Sequence, residues 1–60
     1  MPRYLVYEGT RQTTVSKALG EEPVEVQPGE TVAIDPRIAR DVLRDSDWRP
    51  ATPAEREAAS

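Results

Sequence analysis

Four apolar or aromatic side chains in a row, Tyr4, Leu5, Val6 and Tyr7, constrain this chain more than any other feature. Successive side chains of a strand point to opposite faces, so this run needs cover on both sides. A chain of 60 residues has room for one small core and buries only about 60% of its unfolded surface. With 37% hydrophobic residues, one Trp and no Phe, that core has few members to spare. The chain has neither Cys nor His, so disulfides and ordinary zinc sites are excluded as staples. Contacts with a partner are the remaining external source of order.

Charge bounds the partners. The formal net charge is −3, which argues against a dedicated nucleic-acid binder. Residues 1–20 hold Arg3, Arg11 and Lys17 against Glu8, a local +2, whereas residues 21–60 hold five Arg against ten carboxylates, a local −5. No apolar run is long enough for a signal peptide or a membrane span, so neither is expected. A cytosolic origin is consistent with the lack of Cys.

Residues 3–8 read as a strand stopped at Gly9. Residues 10–19 mix β-branched residues with helix formers and read as an irregular or extended excursion, and "GEEP" at 20–23 reads as a loop. "VEV" at 24–26 alternates apolar and charged; "QPGE" at 27–30 places Pro28 and Gly29 at the centre of a type II turn; "TVAI" follows with Val32 and Ile34 on one face. Segment 24–34 is therefore expected to be a β-hairpin. "DPRIARDVLRD" is the clear helix, expected over residues 36–45. Asp35 caps it, Pro36 opens it, and Ile38, Ala39, Val42 and Leu43 gather on one side. Trp48 returns after it, and Pro50 is expected to end regular structure. Residues 51–60 read as a frayed tail, although Thr52 and Glu55 match a capping box that would start a short helix. The expected fold is α+β and mainly β, an SH3-like or β-hairpin sheet with one short amphipathic helix. Residues 1–50 form the domain.

Chemistry is thin. Without His or Cys there is no ordinary nucleophilic triad. Ser16 and Lys17 are adjacent, but a Ser–Lys dyad needs a pocket that this length barely permits. Glu21, Glu22, Asp45 and Asp47 lack an EF-hand spacing, and Gly9, Gly20 and Gly29 stand too far apart for a phosphate loop. An enzyme is not expected, nor any cofactor or metal, and no catalytic residue is assigned.

Candidate partner-binding residues remain. Arg37, Arg40 and Arg44 share the outer helix face, where Asp41 and Asp45 can pair with Arg37 and Arg40. Trp48 suits either the core or an interface rim. On the first strand, Tyr4 and Val6 share one face and Leu5 and Tyr7 the other. If one pair joins Val26, Val32, Ile34, Ile38, Val42 and Leu43 in the core, the second is left over. Either residues 10–19 fold over it, or it docks on another protein chain. Leu5 and Tyr7 are the expected docking pair.

The pattern "V-x-V-x-P-G-E-T-V-x-I-D", then "A-x-x-V-L" and "D-W-x-P", spans residues 24–50. It resembles small virion structural proteins, capsid-associated or from the head–tail region, of tailed phages that infect actinobacteria. Eight basic residues that include only one Lys also suit phages of high-GC hosts. The resemblance implies a non-enzymatic structural protein, a minor capsid or capsid-decorating protein present in many copies. It would be assembled in the host cytoplasm and reside in the phage particle. Its partners would be the major capsid protein or a neighbouring virion protein, with no membrane or nucleic acid involved. A head–tail connector component and a small antitoxin-like regulatory module are the alternatives.

Overall fold

The computed structural model describes residues 1–59; Ser60, the last residue of the expected tail, lies outside the described residues. The described chain is a small, mainly β, α+β protein with five strands and two short helices. They run in the order β1 (Arg3–Tyr7), β2 (Thr13–Val15), β3 (Val24–Val26), β4 (Thr31–Ile34), α1 (Pro36–Val42), β5 (Trp48–Pro50) and α2 (Pro53–Ala59). Two antiparallel sheets result. One has the order β4-β1-β5, and the other pairs β2 with β3.

The expected hairpin at 24–34 does not form, although its turn does. Gly29 has φ of +85° and the Glu30 amide donates to the Gln27 carbonyl at 3.1 Å, as a type II turn requires. Tight hairpins favour the mirror-image turn types, whose twist matches the strands; a type II turn splays them. Here the turn is a corner between sheets. Its own backbone docks on β1, with the Gly29 amide donating to Tyr7 at 2.7 Å and the Tyr7 amide donating to Glu30 at 3.1 Å. β4 then runs along β1, Leu5 opposite Val32 and Val6 opposite Thr31. β3 finds its partner in the segment expected to be an irregular or extended excursion, which is extended at Thr13–Val15: Val15 lies opposite Val24 and Thr13 opposite Val26.

Alternation places Leu5, Tyr7, Val32, Ile34 and Trp48 on the inner face of the larger sheet. Together with Val26 and Ala39 they form one buried cluster, and Val15, Val24, Ile38, Val42 and Leu43 pack against it. The smaller sheet and α1 are thus the second layer, the arrangement by which an amphipathic sheet closes a core.

Helix α1 begins where its sequence dictates. The Asp35 carboxylate accepts the Arg37 amide at 2.8 Å, and Pro36 fills the position that needs no donor. It stops at Val42, earlier than the expected 45. Bonds shift there to the tighter spacing, from Arg44 to Asp41 at 3.2 Å and from Asp45 to Val42 at 3.0 Å. The Asp47 amide then bonds to the Asp45 side chain at 2.9 Å, which turns the chain into β5. Pro50 ends β5, as expected; it is the last residue of an edge strand, where its missing donor is tolerated.

Candidate docking surface

Arg37 and Arg40 on α1, and Arg44 just beyond its end, are where a partner can reach them. Arg37, Arg40 and Arg44 line an open groove of about 440 Å³ together with Pro36 and Asp41. The expected pairing with Asp41 and Asp45 is not what forms. Arg37 turns back onto the cap residue, its Nε and Nη2 each donating to Asp35 at 3.1 Å. Two parallel bonds with a fixed fork are the geometry that a guanidinium and a carboxylate favour. The Arg37 bonds hold the Asp35 carboxyl below its ordinary value, and Asp35 in turn raises that of Arg37. Asp41 faces Arg44 at 4.0 Å, with both side chains more than 70% exposed, so the pair contributes little. Asp45 is committed to its turn. Arg40 has no side-chain partner among the described residues.

Leu5 and Tyr7 are a correction. Leu5 is fully buried and Tyr7 is 6% exposed, both inside the core cluster of this same chain. They have no surface to offer a partner. Their cover comes from β2, β3 and α1 and from Trp48, whose ring lies 5.1 Å from that of Tyr7 at an angle of 42°. Trp48 is 8% exposed and belongs to the core. Tyr7 also approaches Gly9 so closely that a Cβ there would overlap its ring.

The opposite face of β1, which carries Tyr4 and Val6, holds the contacts that the sequence reading overlooked. Arg49 lies opposite Val6 in the β1–β5 register, so the two share that face. Its Nε donates to Glu8 at 2.9 Å, while Nη1 and Nη2 donate to the two Glu55 oxygens at 2.8 and 2.7 Å. Arg49 lowers the Glu55 carboxyl to about 2, assisted by the Thr52 amide, which donates to Glu55 at 2.9 Å. The capping box that Thr52 and Glu55 spell is complete, because the Glu55 amide also donates to the Thr52 hydroxyl at 3.2 Å. That box was the available signal. Pairing it with Arg49 required the strand register.

The Ser16 hydroxyl serves the loop after β2, with bonds to the carbonyls of Glu21 at 2.9 Å and Ala18 at 3.2 Å. Among the described residues no group of three or more acidic side chains is placed to hold a metal ion. No helix among them is long and apolar enough to cross a membrane. No protein-family model, curated protein or solved structure matches this chain.

Proposed function

We propose that this protein is a non-enzymatic structural component of a phage particle, docking in many copies as a minor capsid or capsid-decorating protein. The observation that carries the reading is the arginine row formed by Arg37 and Arg40 on α1 and Arg44 just beyond it. Arg40 is uncommitted, Arg44 is held only weakly, and both border an open groove. In a chain of net charge −3, a local basic strip is suited to an acidic patch on a neighbouring protein. The resemblance of residues 24–50 to small virion proteins supports the particle as the place of that neighbour. The docking contact is therefore Arg37, Arg40 and Arg44, and Leu5, Tyr7 and Trp48 belong to the fold that presents them.

Mass spectrometry of purified particles from the genome that encodes the chain tests this. The chain should be present in many copies per particle, and the R40E/R44E variant should be depleted from particles while remaining folded. Absence from the particle, or recovery only as a one-to-one soluble complex, would overturn the proposal and favour a regulatory module.

A further inference from the structure

The outer face of the larger sheet carries Tyr4, Val6, Thr31, Ala33 and Arg49. Val6 is 3% exposed, yet it lies outside the main core cluster, so its cover comes from elsewhere. Helix α2 starts beside β5 and packs against β4. Because β1 lies between those two strands, the helix crosses β1 on the face that Arg49 and Val6 share.

Its attachment lies outside the buried core cluster. α2 buries none of its own residues. At seven residues it is too short to persist in water by itself. The Arg49 fork on Glu55 is one of its attachments, and the preceding link is pinned where the Ala51 amide donates to Tyr4 at 2.9 Å. The inner layer rests instead on seven buried side chains, which do not include any residue of α2.

We propose that α2 is a strap that opens as a separate unit, baring the Tyr4 and Val6 face while the inner core stays folded. The inference concerns the fold alone and does not depend on the particle reading. Elements that move on binding come from the less stable parts of a structure, and a seven-residue helix outside the core cluster is of that kind.

Native-state hydrogen exchange on the full chain, at rising low concentrations of denaturant, tests the strap. Amides of residues 56–59 should exchange well before those of residues 5–7, with almost no denaturant dependence. Glu55→Gln should speed residues 56–59 by about three- to tenfold and leave residues 5–7 unchanged. Since the chain has no Cys, Val6→Cys supplies a single thiol, which should react at the opening rate of α2. Equal exchange rates and denaturant slopes at α2 and β1 would overturn the proposal, as would a thiol that reacts only on global unfolding. Exchange in the unsubstituted protein decides the matter if either variant fails to fold.

Discussion

Arg49 Nη2 lies 2.7 Å from Glu55 Oε2, and this contact joins the last strand to the last helix. The same guanidinium reaches Glu8 just beyond β1, so one side chain ties three parts of the chain together. It also explains how a strand with two apolar faces survives in a chain this short. The inner face is covered by β2, β3 and α1; the outer face lies under Arg49 and α2.

Burial of Leu5 makes it a stability residue. Leu5→Ala should cost about 2–5 kcal/mol, a large fraction of what a domain this small possesses. Leu19 is 61% exposed, and Leu19→Ser should change stability by about 0.5 kcal/mol or less. Urea denaturation followed by Trp48 fluorescence measures both. Equal, small effects would mean that Leu5 is not enclosed by its own chain.

Gly9 makes a separate steric prediction. Its φ is not in the left-handed region, so the backbone alone would accept alanine. The Tyr7 ring occupies the space that a Cβ would need. Gly9→Ala should therefore cost about 1–3 kcal/mol by displacing Tyr7 from Trp48. A near-ultraviolet circular dichroism change should accompany the loss, and a stable variant with an unchanged aromatic spectrum would refute the contact.

The Glu55 carboxyl gives the attachment of α2 a definite pH dependence. Bound to Arg49 it titrates near 2, against an ordinary value of 4.5 for the detached residue. Between those values the detached form binds a proton that the attached form does not. Protonation thus favours detachment, and the contribution is complete above 4.5 and lost as pH falls towards 2. The charged groups concerned are Arg49 and, through it, Glu8, with Arg56 and Glu57 on the helix itself. Side-chain NMR titration should show Glu55 titrating well below the usual carboxylate range, and exchange at residues 56–59 should accelerate over that same interval. Titration of Glu55 near 4.5 would contradict the pairing.

Local chemistry was legible in the sequence wherever the determinant was local. Asp35 and Pro36 marked the start of α1, Pro28 and Gly29 marked a type II turn, and Thr52 with Glu55 marked a cap. Partner choice was not legible. The turn at 27–30 suggested that its flanking strands pair, but its twist splays them: β3 pairs back with β2, and β4 with the distant β1. The role of α2 was hidden because Ala, Glu and Arg give no apolar stripe, and its anchor is a polar residue on a strand. Of the candidate contacts, Arg37 and Arg40 followed from helical periodicity, Arg44 falls just past the helix end, and all three are exposed. Leu5 and Tyr7 were misplaced because theirs is the inner face, and the cover for the opposite face came from a segment read as a tail.

One copy of this chain encloses β1 on both faces without help from a neighbour. Amide exchange at residues 5–7, measured on the isolated chain across a dilution series with its mass followed by sedimentation, tests that claim directly. A monomer in which these amides are the most protected, independent of concentration, is the predicted result. Protection that appears only as the chain associates, or only when another protein is added, would contradict it.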